Sequence, residues 1–390
     1  MNSTERRALL GLASLYVFRM LGLFMVLPVL SVYGADYRGS TPALLGLALG
    51  AYGLSQALLQ IPLGTLSDRI GRKPVIFMGL AIFALGSVVA ALTDSVYGLI
   101  AGRVLQGCGA IAAATMALMA DLTRDEKRGL AMAAIGAAIG VAFMLAVILG
   151  PALAGAGGLA AIFWVTAALA LLGALLVWRL VPTPKVSPRT GVQRGDFRRL
   201  LQSGTTWRLV GGVFFSHLLL TALFVPLPLE IVDRLDLPSA DHWKLYGPLM
   251  AGTFLLMLPL MRAVERSGRV PQALLLGMLG LGIGSAALLL PWGSGTALVA
   301  LLAVFFIIFN LLEALLPAQL TRTAPAQSRG AATGLYATLQ FLGAFFGGSL
   351  GGYLFGLGGA PAVAALGGAV ACLWLLLWLL TSERKPGAAG

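Results

Sequence analysis

Charge is scarce in this chain of 390 residues. Asp, Glu, Lys and Arg together make up 11% of it, whereas they make up about 25% of an ordinary soluble domain. Both cysteines, Cys108 and Cys372, fall in apolar stretches, which argues against a disulfide or a metal site. The phosphate-binding pattern Gly-x-x-x-x-Gly-Lys-Ser/Thr does not occur. The sequence therefore argues against a soluble domain, a disulfide-stabilised fold and an ATP-driven machine.

Long apolar runs fill the chain instead. Hydrophobic residues make up 58% of it, and the mean hydropathy is +0.91. About 20 apolar residues in a helix cross a hydrocarbon core of roughly 30 Å, and an open backbone finds no partner in lipid. Twelve runs are of this order, at residues 8–33, 44–63, 75–92, 97–120, 130–153, 160–181, 207–231, 245–261, 271–290, 296–316, 331–354 and 361–380. We therefore predict an all-α polytopic membrane protein with twelve transmembrane helices.

The loop cations lie mostly on one side of these runs. With a cytoplasmic amino terminus, the outside loops hold only Arg38, Arg234 and Lys244 of the 27 lysines and arginines. Cytoplasmic loops typically carry such an excess of cations, so we expect both termini in the cytoplasm. The formal net charge of +12 then reflects topology and contact with anionic membrane lipids rather than a nucleic-acid partner.

The second half of the chain repeats the first. The acid, the two arginines, the glycine and the proline of residues 68–74 recur at 265–271, which lie 197 residues later. A basic stretch at 182–206 divides the predicted spans six and six. We therefore predict two pseudo-symmetric six-helix halves, 1–181 and 207–390, joined by a basic cytoplasmic linker.

The charged loop between the second and third runs resembles a family signature. Gly64-Thr65-Leu66-Ser67-Asp68-Arg69-Ile70-Gly71-Arg72-Lys73 matches the major facilitator superfamily pattern Gly-x-Leu-x-Asp-Arg-x-Gly-Arg-Arg/Lys at every defined position. The resemblance implies the major facilitator fold of secondary transporters. Residues 19–30 of the first run, 241–244 just before the eighth and 309–317 at the tenth also resemble a drug:proton antiporter-like subgroup, which implies a bacterial inner membrane.

Two further motifs support this resemblance. The family's Arg-containing motif of the fourth helix resembles the set Arg103, Gln106, Gly107 and Gly109. The helix-packing motif of the fifth helix, which is associated with antiporters, resembles Gly150, Pro151 and Gly155, with Ala154 where the family has a glycine.

The resemblance implies a conformational switch in the charged loop. In the family, this aspartate latches against the eleventh helix, together with an arginine and with an acid at the end of the fourth helix; here these would be Asp68, Arg72 and Asp121. An anion near a helix amino end typically gains about 0.3 to 1 kcal/mol. A solvated loop that only sets topology is the alternative. The other residues assigned to the switch are Gly64, Arg69, Gly71, Glu265, Arg266 and Arg269.

Away from the ends of the apolar runs, where Arg179, Arg208 and Glu230 lie, four side chains can carry a charge near neutral pH, namely Arg19, Arg103, His217 and Glu313. An ion at the membrane centre costs about 2.5 kcal/mol or more unless it is paired or hydrated, so such residues indicate function. His217 is expected to be a protonation site or a packed histidine bonded to a carbonyl group. Glu313 either takes up a proton or serves as the counter-ion of Arg19. Further candidates for the substrate and proton pathway are Gln56, Gln60 and Asn310.

Arg19 and His217 lie 198 residues apart, at equivalent positions of the repeat, and we expect them to face each other across a central cavity. The sequence thus predicts a secondary transporter that moves a small organic solute by alternating access, through proton-coupled efflux. Uptake or exchange of an anionic or zwitterionic solute is the alternative, and a membrane sensor is disfavoured. The expected partners are the solute, protons and lipids. We expect a monomer without enzymatic activity, cofactor or metal.

Overall fold

The computed structural model describes residues 1–183, 200, 202–290, 294–324 and 328–381, with the side chains of residues 125 and 329 left aside. Its long helices are Ser3–Phe24, Pro42–Ile70, Arg72–Leu92, Asp125–Leu180, Gly204–Leu223, His242–Ser267, Val270–Leu289, Gly295–Thr323 and Arg329–Leu380. Shorter helices are Leu30–Tyr33, Val96–Cys108, Ala112–Asp121 and Leu227–Leu235, and single 3-10 turns are Gly34–Asp36 and Ser239–Asp241. The described residues contain no β-strand, so the all-α prediction is confirmed.

In the described part of the chain, ten helical segments are long and apolar enough to cross a membrane, and two of them are long enough to cross it twice. These two helices have 56 and 52 residues, and each leaves the helical conformation at a glycine pair, Gly157–Gly158 and Gly358–Gly359. Gly158 and Gly359 have φ values of +64° and +65°, which glycine adopts at little cost. The fold therefore has twelve spans, as predicted, which we number 1 to 12 in chain order.

The first double helix folds back on itself at its glycine pair. Both of its ends lie beside the first turns of span 1, where Arg124 bonds to Glu5 and Val181 lies against Gly11. Its middle packs on Met25, at the other end of span 1. We call the end of the bundle that holds Ser3 and Thr381 the terminal face, and the other end the opposite face.

Spans 1, 4 and 7 are interrupted rather than continuous. The helix of span 1 stops at Phe24 and resumes at Leu30, and the helix of span 7 stops at Leu223 and resumes at Leu227. Pro28 and Pro226 lie in these interruptions, and proline cannot donate the helical backbone hydrogen bond. The predicted single helices over 8–33, 97–120 and 207–231 are therefore wrong in continuity, although each crosses once.

Spans 2 and 11 join the two halves near the opposite face. Five glycines, which we call the glycine seam, line this contact: Gly46, Gly50, Gly53, Gly348 and Gly352. A Cβ atom on Gly50 would lie 2.6 Å from the carbonyl oxygen of Phe345, and one on Gly46 would overlap the carbonyl oxygen of Gly348. The two backbones therefore touch with no side chain between them.

The glycine contacts between the two halves lie toward the opposite face. The glycine seam joins spans 2 and 11 there, and Gly155 of the first half packs on Ala240 of the second. The terminal-face ends of spans 2, 5 and 8 are largely exposed. The described chain is therefore closed at the opposite face. The linker prediction, 182–206, falls mostly outside the described residues, so the domain boundaries stay a prediction.

Candidate functional site

Arg19 lies in the middle of span 1 with only 3% of its surface exposed. Its Nη2 atom donates hydrogen bonds to the hydroxyl oxygen of Tyr52, at 3.1 Å, and to Oε1 of Gln56, at 2.6 Å. The Gln56 amide donates in turn to Oε1 of Gln60, at 3.1 Å, so polar groups continue one turn further along span 2. The Nε and Nη1 atoms of Arg19 are buried and have no hydrogen-bond partner.

Arg103 is also buried, and its hydrogen bonds, like those of Arg19, lie within the first half. Its Nε atom donates to the carbonyl oxygen of Ala48, at 3.3 Å, and Nη1 donates to Oε1 of Gln106, at 2.8 Å. The Gln106 amide donates to the hydroxyl of Ser87, which ties spans 3 and 4 together. The Arg103 guanidinium also lies 5.2 Å from the ring centre of Tyr52. These contacts favour a packing role for Arg103.

His217 and Glu313 form a pair in the second half. Nδ1 of His217 lies 3.6 Å from Oε1 of Glu313 and 3.1 Å from the carbonyl oxygen of Val213. This Glu313 oxygen is buried and accepts no hydrogen bond. Nε2 of His217 lies 2.9 Å from the side-chain amide of Gln340 on span 11. In this conformation Glu313 lies beside His217, and Arg19 bonds to Tyr52 and Gln56, so the Arg19–Glu313 ion pair stays a prediction.

Span 11 connects the hydrogen bonds of Arg19 with the His217–Glu313 pair. The Phe341 ring lies 6.0 Å from the ring of Tyr52, and its neighbour Gln340 bonds to His217. Two adjacent residues of one helix thus contact the partner of Arg19 on one side and the partner of Glu313 on the other. The predicted repeat-equivalent pair, Arg19 and His217, belongs to one connected set, although no direct contact joins them.

An aromatic cluster from three spans lies beside this pair. The Phe143 ring of span 5 lies 5.1 Å from Phe24 of span 1 and 6.0 Å from Phe309 of span 10. Phe309 also lies 5.8 Å from the ring of His217. Asn310, the next residue, is half-buried on the same helix. Apolar rings of both halves therefore border the ionisable groups.

The charged loop brings its predicted partners together at the terminal face. Arg72 pairs with Asp68, and its Nε atom lies 3.2 Å from Oδ2 of Asp121 at the end of span 4. Nη1 of Arg72 donates to the hydroxyl of Ser67 at 2.8 Å. Gly71 has a φ of +99°, which explains a glycine at the sharp turn between spans 2 and 3. No hydrogen bond or ion pair joins Asp68 to the described residues of span 11, so the predicted latch is not formed in this conformation.

The remaining predicted residues lie away from the central pair, toward the terminal face or the opposite face. Arg69, Arg266 and Arg269 are exposed, and Glu265 pairs with Arg322 across 3.2 Å in a largely exposed ion pair. Exposed pairs of this kind contribute about 0 to 1 kcal/mol. The helix-packing motif lies at contacts of the opposite face: Gly150 and Pro151 lie where span 5 packs on Met25, and Gly155 packs on Ala240 of the second half. Gly64 packs on Ala113.

Sequence reasoning missed Tyr52 and Gln340. Tyr52 lies one helical turn before Gln56 on the same face of span 2, which is a signal that the sequence carried. Gln340 is the one amide within the run 331–354. Polar side chains within a membrane span can thus belong to the candidate site even when they carry no charge.

The chain is similar to known membrane transport proteins over most of its length. Residues 12–255 and 213–390 match the sequence model of the family described as Major Facilitator Superfamily. Inner membrane transport protein YajR of Escherichia coli K12 is 44% identical over 382 residues, which cover 96% of this chain and 83% of that protein. Multidrug resistance protein MdtH of Edwardsiella ictaluri is 28% identical over 354 residues, which cover 87% and 84%.

Solved structures agree on the fold. The crystal structure of a bacterial homologue of the human lysosomal transporter Spinster, in an inward-facing and unoccupied conformation, matches with a TM-score of 0.73 at 17% identity. The match covers 98% of this chain and 94% of that one.

Proposed function

This chain belongs to the major facilitator superfamily of transporters, and we propose that it exports a small organic solute in exchange for protons. The names of its relatives support transport across an inner membrane, and the multidrug resistance relative supports export. We place it as a monomer among the lipids of a bacterial inner membrane, with its terminal face in the cytoplasm. The conformation described above is then open to the cytoplasm.

The observation that carries this proposal is the His217–Glu313 pair. It lies in the middle of spans 7 and 10, within a bundle in which few charged side chains lie away from the helix ends. A buried carboxylate beside an imidazole can accept a proton and release it when its surroundings change. Alternating access supplies such a change, because the halves expose the pair to one side of the membrane and then to the other.

Flux measurements in liposomes test the proposal. The purified protein is reconstituted, a pH gradient is imposed, and movement of a compound panel is followed together with the internal pH. We expect solute and protons to move in opposite directions, and an ionophore that collapses the gradient to stop accumulation. Solute and protons moving together would favour uptake, and flux that ignores the gradient would contradict proton coupling.

We further propose that Asp68 latches the terminal face when that face closes. In the open conformation the Asp68 carboxylate pairs with Arg72. When the halves rock together and the terminal face closes, the same carboxylate can bind the amino end of span 11. Asp68→Asn should shift the populations toward the open terminal face by about tenfold, the equivalent of 1.4 kcal/mol. Distances between spin labels on spans 2 and 11 report this shift. Asp36→Asn, an exposed change at the opposite face, is the matched control; equal populations in both variants would contradict the latch.

A further inference from the structure

Arg19 is a cation that lacks an anionic partner. A guanidinium stays charged at every physiological pH, and two of its three nitrogens here are buried without a hydrogen-bond acceptor. The two acceptors of Nη2, the hydroxyl of Tyr52 and the amide oxygen of Gln56, are both neutral. The described surroundings therefore solvate part of this charge and neutralise none of it.

The described acidic residues near the bundle interior are engaged elsewhere. Glu5 bonds to Arg124, and Asp68 and Asp121 pair with Arg72 at the terminal face. Glu313 lies against His217. An unneutralised charge in the membrane interior is expensive. Arg103 also lacks an anionic partner among the described residues, but its Nε and Nη1 atoms have acceptors within the protein, whereas the same two atoms of Arg19 have none. This difference favours an anion from outside the chain as the partner of Arg19.

We propose that the transported solute carries an acidic group of the carboxylate class and that this group binds the unpartnered nitrogens of Arg19. The inference rests on the transport function proposed above and specifies its substrate. Tyr52 and Gln56 hold the guanidinium from one side, which leaves Nε and Nη1 for the carboxylate. Gln60 continues the polar row along span 2 in the direction of the open terminal face, where a solute enters.

The aromatic rings beside His217 suit an apolar remainder of the solute. Phe143 and Phe309 come from different halves, and Phe309 contacts His217. A carboxylate with an aromatic or aliphatic body can therefore bind to the first half through its charge and touch both halves through its body. An exported anion and an imported proton are also both favoured by a membrane potential that is negative inside.

Matched compounds test the charge requirement. Each triplet shares one skeleton and differs in its polar group: phenylpropionate, phenylpropionamide and phenylpropylamine; salicylate, salicylamide and hydroxybenzylamine; octanoate, octanamide and octylamine. Binding to the purified protein is measured by thermal shift and by calorimetry. We expect stabilisation by carboxylates and none by their amides or amines. Hits among amides or amines, or a panel in which no carboxylate binds, would overturn the proposal.

Variants locate the binding group. Arg19→Gln should weaken carboxylate binding about 30-fold or more, as expected when one member of a buried charge pair is removed. Arg19→Lys keeps the charge but has one nitrogen in place of three, so it also weakens binding and serves if the glutamine variant does not fold. Arg103→Gln is the matched control, since it removes a buried guanidinium whose Nε and Nη1 have partners within the protein. Equal loss of carboxylate binding in both variants would mean that Arg19 acts only through folding.

The two proposals fail separately. Carboxylate binding that depends on Arg19, together with flux that ignores the pH gradient, would retain this inference and reject proton coupling. Proton-coupled flux of amides or amines that survives Arg19→Gln would retain proton coupling and reject this inference.

Discussion

Replacing Glu313 by glutamine is expected to abolish solute flux driven by a pH gradient while solute exchange continues. The amide keeps the size and the hydrogen-bonding atoms of the side chain, but it cannot gain or lose a proton near neutral pH. If the His217–Glu313 pair carries the proton, uphill transport ends and the halves still rock with solute bound. Proteoliposome flux with and without a pH gradient, beside exchange of labelled solute, measures the two properties independently.

Glu230→Gln is the matched control for that variant. Glu230 pairs with Arg234 on the short helix Leu227–Leu235, which completes span 7 near the opposite face, so the same change there leaves the central pair intact. It should retain gradient-driven flux. Full pH-driven transport by Glu313→Gln would show that the carboxylate is structural and that protons travel by another route.

A side chain introduced into the glycine seam should reduce transport almost as strongly, because it would overlap the backbone of span 11. Gly46→Leu places atoms where the backbone of Gly348 and Gly352 now lies, and a backbone cannot move aside as a flexible side chain can. Overpacking of this kind costs about 1 to 3 kcal/mol or more. The conformation closed at the opposite face should therefore lose population by about tenfold to a hundredfold, and transport should fall with it.

Spin labels at the opposite-face ends of spans 2 and 11 measure this effect as longer distances. Gly284→Leu on span 9 is the matched control, because a Cβ atom there meets nothing within 4 Å. It should leave the distances and the transport rate unchanged. A Gly46→Leu protein with the parent's distance distribution would show that the seam tolerates side chains and does not close the opposite face.

The number of crossings was predictable because lipid imposes a length on every apolar run. The helix ends were less predictable, since a helix continues past the hydrocarbon into the polar region. The tenth run was predicted to span 296–316, whereas the helix is Gly295–Thr323. The two double helices were predicted as four separate runs with a connection between the members of each pair. In the structure each connection is a turn at a glycine pair, which the sequence does not give because glycine allows several backbone conformations.

The site was predictable one residue at a time but not in its pairings. Scarcity of charge identified Arg19, His217 and Glu313, because each is expensive in lipid. Which of them meet depends on the rotation and crossing of whole helices, and a residue's position along its span does not give this. Hence the sequence left open whether Glu313 pairs with Arg19, whereas the helices bring it to His217.

The glycine pair Gly358–Gly359 couples movements of spans 11 and 12 to each other and to the surrounding lipid. Spans 11 and 12 meet there without an intervening loop, so a tilt of span 11 as the seam opens must be passed on to span 12. The end of span 11 near this turn carries exposed Tyr353 and Leu357, which we expect to face the acyl chains. The area that the protein occupies in that leaflet should then change during each cycle, with work done against the lateral pressure of the bilayer. We therefore expect the rate of turnover to depend on acyl-chain composition.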